Sequence, residues 1–380
     1  MATGDIGIVR DTLTFDAVNA TLPSIIRTGA NMCAIPYCGP DNDGFLKTAE
    51  INAAGQIDDT VKDTLEFDVD FQWNNSIIHI AGLVYAIAYR GPANHGLIKT
   101  VQINADGSIE DAPLDELEFD AVNCDFPDII KVGDEMYAIA YTGELGYGVI
   151  TTVAITDAGA LSADIEATLA INAVATGCLR IKRVGATSWY VVVQARDTVL
   201  YAQSVSISAD GTISIGGSQE LLIEDPCGAT HSVIGITGNI FAVAYQGPGT
   251  DGWLKTITAN DDGTFEAGSR DSMEFGPSDC HEPRIIAVAE SVYAIAYTGA
   301  STTGNIVTVT IHDTGLIDDS EVDSLVFGGG DVNNTELTHI NGDIYAVAYR
   351  TYACLGKLIT FDIETPEPTG VPHLMMMGIG

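Results

Sequence analysis

The sequence predicts an all-β fold made of seven copies of one 52-residue unit. An acidic strand pattern, DTLEFD at 63–68 for example, begins at residues 11, 63, 115, 167, 219, 271 and 323, always 52 positions after the preceding copy. A second pattern, YAIAY at 85–89, keeps step with the first and also occurs seven times. Repeats of this length are typical of solenoids and propellers. Because each unit contains four short strand patterns and no helical pattern, we predict a seven-bladed β-propeller with four antiparallel strands per blade.

The third unit shows the four strands most clearly. Strand A is predicted at 128–132, strand B at 136–141, strand C at 149–155 and strand D at 167–171, with Gly, Asp and Asn residues between them. In strand B of the second unit, large side chains at 85, 87 and 89 alternate with alanines at 86 and 88. Successive side chains of a strand point to opposite faces. We therefore expect each blade to have one large and one small face, both buried against neighbouring blades.

The seventh unit predicts how the ring closes. Its strand C, near 357–363, has no strand D after it, whereas a spare strand D pattern lies within 6–15. We expect this N-terminal strand to complete the last blade, since closure removes the sheet edges that a linear solenoid, the alternative, would expose. The domains are then a propeller over 1–364 and a Pro-rich linker or tail over 365–380. The tail would lead to a membrane anchor or a further domain, or end freely.

The charge of the chain restricts its partners. The chain carries 52 acidic and 16 basic residues, a formal net charge of −36. Such a protein repels nucleic acids and anionic membrane surfaces. No sequence stretch reaches the roughly 20 apolar residues that cross a bilayer, so we do not expect the propeller to insert into a membrane. A solvated acidic shell is the simpler interpretation of this charge, and a cation-binding role is the alternative.

The fullest repeat motif carries a family resemblance. A motif of the form YAIAYxGPxxDGWLKT stands at 85–100 and, most fully, at 241–256. It resembles the YVTN-like and WD-repeat-like propellers of archaeal and bacterial surface proteins, and the resemblance covers 1–364. This resemblance implies a propeller at an extracellular or cell-surface location. The fourth copy departs from the motif, reading YVVVQ at 190–194, and no WD dipeptide pattern is present.

The loops predict a binding face and disulfides. The D–A loops, which join strand D of one blade to strand A of the next, differ most between copies. They lie on the same face as the B–C loops, which join strands B and C, and their variation suggests that this face binds a ligand. Six cysteines fall in these loops, and we predict that adjacent ones are bridged in an oxidising compartment. The candidate pairs are Cys38–Cys354, Cys124–Cys178 and Cys227–Cys280. Free thiols are one alternative, and a zinc site from Cys227, His231, Cys280 and His281 is another. Three N-x-S/T sequons, at 19, 74 and 333, mildly favour secretion.

Basic residues concentrate on strand A, the innermost strand. One position of the repeat reads Arg27, His79, Lys131, Arg183, Gly235, Ala287 and His339, and nearby positions add Arg180, Lys182 and Arg284. In so acidic a chain, this pattern predicts a cationic channel that binds an anionic or carbohydrate ligand through Arg27, His79, Lys131, Arg183, Arg284 and His339. Pairing with acids of neighbouring blades is the alternative. Trp73 and Trp253 are candidate sugar-stacking side chains on the loop face, although Trp253 also fits hydrophobic packing.

The sequence contains no recognisable catalytic motif, so we expect a binding module rather than an enzyme. We predict no metal and no cofactor. The predicted function is an extracellular ligand-binding or adhesion module for a glycan or a cell-surface protein. The alternatives are a glycan-active hydrolase or lyase and a structural spacer in a surface layer. Such an enzyme would use carboxylates at the channel mouth, for which Asp125, Asp128, Glu282 and Glu336 are candidates.

Overall fold

Seven small antiparallel sheets form a ring, as the sequence predicts. The computed structural model describes residues 2–217 and 219–365, so the tail beyond 365 lies outside the described residues. In blade 1, strands A to D are Ile26–Arg27, Met32–Cys38, Gly44–Glu50 and Asp63–Asp68. In blade 2 they are Trp73–Ala81, Val84–Arg90, Gly96–Gln102 and Asp115–Asp120. In blade 3 they are Asp125–Lys131, Met136–Thr142, Gly148–Ala154 and Ala167–Ala170. The predicted strands of the third unit therefore agree with the structure to within a few residues.

The remaining blades follow the same order. Their strands are Thr176–Arg183, Trp189–Arg196, Val199–Ile207 and Glu220–Glu224 in blade 4; His231–Thr237, Ile240–Gln246, Gly252–Thr258 and Asp271–Gly276 in blade 5; His281–Ala289, Val292–Thr298, Gly304–Thr310 and Asp323–Phe327 in blade 6; and Asn333–Asn341, Ile344–Arg350, Gly356–Asp362 and Asp11–Asp16 in blade 7. Blade 4 has an additional short strand, Ile213–Ser214. In the described part of the chain, no helix is long and apolar enough to span a membrane.

The N-terminal strand closes the ring. It pairs antiparallel with strand C of blade 7, with Leu13 opposite Leu358. Beyond this strand, the Gly4 N–H donates to the Glu364 carbonyl at 2.8 Å, so the two ends of the propeller meet inside a C–D turn. The Thr308 hydroxyl donates to the Gly4 carbonyl at 2.7 Å. The Thr152 hydroxyl donates in the same way to the Gly211 carbonyl at 2.8 Å, so the seam repeats an ordinary contact between blades.

The core lies between the blades, where large and small faces interlock. In the cluster between blades 2 and 3, Tyr137, Ile139 and Tyr141 pack with Ala86 and Ala88 of the preceding blade. All five of these residues are fully buried. Burial of one large apolar side chain contributes about 1.5–3 kcal/mol. Repeated around seven interfaces, this packing holds the ring together.

A buried acid, tyrosine and lysine also link adjacent blades. Asp68, at the end of strand D of blade 1, accepts a hydrogen bond from the Tyr89 hydroxyl of blade 2. The Lys99 ammonium lies 3.2 Å from the same carboxylate and donates to the Phe67 carbonyl at 2.8 Å. The same triad occurs twice more, as Asp16, Tyr37 and Lys47 and as Glu224, Tyr245 and Lys255.

The triad differs at the other interfaces. Around blade 4 it is replaced by neutral amides, in which Asn172 donates to Gln194 at 2.6 Å and Gln194 donates to Gln203 at 2.9 Å. In blades 6 and 7 the acid position is Gly276 or Gly328, and the lysine position is Val307 or Ile359. Between blades 2 and 3 the acid is kept, since Asp120 accepts from the Tyr141 hydroxyl at 2.8 Å, but Thr151 stands at the lysine position. The lysine therefore occurs only where the acid is present, as the high cost of an unpaired buried charge requires.

The cysteines correct the disulfide prediction. All seven lie in the described residues, and each is a free thiol. Cys124, Cys227 and Cys280 are buried in three different clusters between blades. The backbone N–H of Cys124 donates to the Asn94 carbonyl at 2.7 Å, and Ala20 makes the same contact with Cys354. These cysteines therefore fill a position for small apolar side chains under a B–C turn.

The other predicted pairs are also unbridged. Cys178 is almost fully buried beside the central channel, whereas Cys124 lies in the gap between blades 2 and 3. Cys38 is fully buried, and Cys354 accepts a hydrogen bond from Arg350 at 2.8 Å. The zinc alternative has no support, since no metal-holding group of His, Cys, Asp or Glu occurs within 2–217 and 219–365.

The triad predicts strong coupling between Asp68 and Lys99. We expect K99V to lower the free energy of unfolding by about 2–4 kcal/mol, because it leaves a buried carboxylate without its cation. D68G/K99V copies the pair Gly276 and Val307 and should show a favourable coupling of about 1–3 kcal/mol in a double-mutant cycle measured by urea unfolding. The same cycle at the exposed pair Asp58 and Lys62 should give a much smaller coupling, because solvent screens that pair. Additive effects at Asp68 and Lys99 would contradict the triad.

The triad also predicts a pH dependence. Burial alone would raise the pKa of Asp68, but hydrogen bonds from Tyr89 and two backbone N–H groups, with the Lys99 charge, outweigh it and lower the pKa. A carboxylate with a lowered pKa stabilises the fold above its unfolded value, near 3.8, and that stabilisation is lost as pH falls. D68N should therefore be less stable than wild type at pH 7, and the difference should shrink below about pH 4. A difference that stays constant from pH 7 to pH 3 would refute this.

The buried thiols predict selective labelling. Burial raises the pKa of Cys33 and Cys38 to about 12 and that of Cys227 to about 11. The thiolate is the reactive form of cysteine, so these groups should be inert in the folded protein. We expect a maleimide to add once at pH 7.5, at Cys354, and C354S to abolish this addition. Mass spectrometry of the unfolded chain should show seven additions; fewer would indicate disulfides.

Candidate functional site

All seven blades contribute to one pocket at the D–A mouth of the central channel. The cavity is about 60 Å³. One residue from the start of each strand A, spaced 52 apart, forms its outer ring. These residues are Leu22, Asn74, Phe126, Cys178, Thr230, Glu282 and Asn334. A site built in this way exists only when the ring is closed.

The outer ring has an unusual backbone. Five of its residues, none of them glycine, have positive φ between 43° and 53°: Leu22, Asn74, Phe126, Glu282 and Asn334. Several of these positions lie in register shifts between strands A and B, where the backbone bulges. Positive φ is uncommon for residues other than glycine and tends to occur at functional sites. The bulge aims these side chains at the channel mouth.

Hydrogen bonds between blades fix the ring. The Glu282 carboxylate accepts from the Asn334 backbone N–H at 2.7 Å and from its side-chain amide at 2.8 Å. The Asn75 amide donates to the Leu22 carbonyl at 2.9 Å, whereas its Oδ1 is buried without a hydrogen-bond partner in the described chain. The pocket therefore presents a free acceptor to a ligand.

The next ring carries the charges. Two positions further along each strand A, the residues are Ser24, Ser76, Asp128, Arg180, Ser232, Arg284 and Glu336. Arg284 Nε lies 2.5 Å from Glu336 Oε1, and Asp128 accepts from the Ile181 N–H at 2.8 Å. Arg180 donates to the Leu179 carbonyl at 2.8 Å but makes no ion pair with any described residue. Arg180 is thus the available cation of the pocket.

Burial and the two arginines set the charge states nearby. Burial would lower the pKa of Arg284, but the Glu336 carboxylate outweighs it and raises the pKa. Burial and the Arg180 charge lower the pKa of His231 to about 3. His231 is therefore neutral, and its Nε2–H donates to the Val193 carbonyl at 3.0 Å. His231 is a fully buried, neutral side chain next to Thr230 rather than a cation of the pocket.

The predicted basic column lies at the opposite mouth of the channel. Arg27, His79, Lys131 and Arg183 are exposed near the A–B turns, and His339 is partly exposed. Lys131 and Arg183 lie over the rings of Tyr137 and Tyr190, and His79 and His339 contact Tyr85 and Tyr345. Arg183 Nε donates to the Thr187 carbonyl at 2.7 Å, and Arg27, His79 and His339 contact turn carbonyls in the same way. Of the six predicted basic ligands, only Arg284 lines the D–A pocket.

The two tryptophans lie away from this pocket. Trp73 begins strand A of blade 2 and is half-buried, with Arg90 opposite it. Trp253 packs against the cluster between blades 4 and 5, and its indole N–H is buried without a partner among the described residues. Trp253 therefore has the packing role that the sequence analysis gave as the alternative to sugar stacking.

The four candidate acids are held by structural partners. Asp125 lies 3.3 Å from Arg90 and accepts from Asn74. Asp128, Glu282 and Glu336 have the partners described above. Sequence reasoning noted Arg180 only as a neighbour of the basic column, assigned Cys178 to a disulfide, and did not single out Asn75 and Thr230. Alignment of the copies at this position would have shown a ring of serines and charged residues, but not which mouth of the channel it faces.

Known structures share the fold. The chain is similar to the periplasmic gluconolactonase PpgL of Pseudomonas aeruginosa, with a TM-score of 0.57 and 11% identity over 78% of this chain and 83% of that one. It is similar to BBS1N from its complex with ARL6DN, with a TM-score of 0.58 and 11% identity over 96% and 98%. It is also similar to Sqt1 of Chaetomium thermophilum, with a TM-score of 0.54 and 11% identity over 92% and 83%. At such identities the likeness shows the propeller fold alone. No protein-family model and no curated protein sequence matches the chain.

Proposed function

We propose that this propeller is an exported binding module that holds a small carboxylate-bearing ligand, such as a sugar acid, at the D–A mouth of its channel. The proposal depends on Arg180, a cation that faces the pocket without an ion-pair partner in the described chain. Arginine binds carboxylates with two parallel hydrogen bonds. A ligand carboxylate would supply the partner that the protein does not.

The distribution of charge supports this proposal. Of the 16 basic residues, nine form ion pairs, which leaves seven without one among the described residues. Five of these seven lie on the innermost strands: Arg27, Lys131, Arg180, Lys182 and Arg183. Arg27, Lys131 and Arg183 are exposed at the opposite mouth, whereas Arg180 and Lys182 line the cavities on the D–A side. In a chain with 52 acidic residues, two cations on that side that are unpaired in the described chain support an anionic ligand.

The neutral groups around Arg180 fit a hydroxylated ligand. Asn75 Oδ1 would accept a hydrogen bond from a ligand hydroxyl, and Thr230 would donate or accept. Phe126 and Leu22 add apolar surface at the rim of the pocket. A cavity of about 60 Å³ fits a carboxylate and its neighbouring atoms, so the rest of the ligand would extend towards the loops.

The arrangement favours binding over hydrolysis. A glycosidase needs one carboxylic acid and one carboxylate that are free to act on the bond between them. Here Glu336 is paired with Arg284, and Glu282 is occupied by Asn334. An exported location is supported by the resemblance to extracellular propellers and by the name of the periplasmic neighbour, but the free cysteines add nothing to it.

Isothermal titration calorimetry with gluconate tests the proposal. We expect wild type to bind gluconate and not sorbitol, its uncharged analogue. R180Q should weaken binding at least about ten-fold, because a charge-assisted bidentate contact contributes about 1.5–3 kcal/mol.

R27Q is the matched control, since Arg27 lies at the other mouth of the channel. Its affinity for gluconate should equal that of wild type. Equal binding by R180Q and wild type, or a loss in R27Q alone, would show that the D–A pocket is not the anion site.

A further inference from the structure

The D–A pocket continues into a second cavity deeper in the channel. This cavity is about 280 Å³. Arg180, Arg284 and Glu336 line both cavities, so these side chains form the boundary between them. Lys182 lines only the deeper cavity. A ligand held by Arg180 could therefore extend inward as far as Lys182.

Lys182 stands in a ring that is otherwise uncharged. The equivalent residues of strand A are Ile26, Ile78, Ile130, Lys182, Ile234, Ile286 and Thr338. The isoleucines pack against the neighbouring blades while their edges line the channel. Placing an ammonium group in such a ring costs free energy unless the charge is compensated.

No described side chain makes direct contact with that charge. Lys182 has neither an ion pair nor a side-chain hydrogen bond within 2–217 and 219–365. The carboxylates lining the same cavity are Asp128, bound to the Ile181 N–H, and Glu336, bound to Arg284. The repeat shows that isoleucine suits this position, so packing does not require a lysine.

We infer that the ligand of this site is dianionic, with one anionic group on Arg180 and a second on Lys182. This inference rests on the proposed function. Residues i and i+2 of a strand are roughly 7 Å apart and point to the same side. An extended six-carbon dicarboxylate separates its two carboxylates by a comparable distance. The ligand class is thus a compact diacid, such as a sugar dicarboxylate.

Paired calorimetry with glucarate and gluconate tests this inference, since the two differ only in the second carboxylate. Wild type should bind glucarate at least about ten-fold more tightly than gluconate. K182I, which restores the residue of the other blades, should bind the two ligands equally and should keep its affinity for gluconate within about two-fold. K182I should also unfold at a higher temperature, because it removes an uncompensated charge from an apolar ring.

R183Q is the control, since it removes the neighbouring exposed cation at the opposite mouth. It should keep the preference for glucarate. A preference that persists in K182I, or equal affinities in wild type, would overturn the diacid inference while leaving the proposed function standing. Loss of both ligands in K182I would show that Lys182 is structural. Failure of wild type to bind either ligand would overturn the proposed function as well.

Discussion

Closure of the ring is the constraint on which the site depends. The D–A pocket takes one side chain from each blade, so it is complete only when blades 7 and 1 are held side by side. The strand Asp11–Asp16 provides that connection, because it pairs with the last blade and also carries Asp16, the acid that binds Tyr37 and Lys47 of blade 1. One segment therefore joins backbone pairing to a buried ion pair at the seam. The channel has the same construction there as at the other interfaces.

The contacts between blades are conditional on one another. The acid at the end of strand D is accompanied by lysine on the next strand C at three interfaces and by Thr151 between blades 2 and 3. Amides replace both groups around blade 4, and neither charge is present where Gly276 and Gly328 occur. A single substitution within such a set leaves a buried group without its partner, which is more costly than changing the set together. This explains how seven units with different buried chemistry keep the same geometry.

Much of the fold could be predicted from the sequence. The 52-residue period and the alternation of large and small residues are local signals, and a closed ring of seven blades accounts for both. The position of the site was harder to predict from the sequence. The basic column was found, but Arg183 and Arg284 face opposite mouths, and only the path and bulges of strand A decide this. The disulfide prediction was wrong because loop positions do not give side-chain directions: Cys124 and Cys280 point into the gaps between blades.

Blade 4 is the unit in which the repeat motif is weakest, and it supplies Arg180, Lys182 and Arg183. Of these three, Lys182 alone has no basic counterpart, because the six sister units carry isoleucine or threonine at its position and still form four-stranded blades. A side chain found in one copy alone is therefore not needed by the architecture that all copies share. In a pseudo-symmetric ring such a side chain breaks the symmetry, so the wall of the channel is polarised towards blade 4.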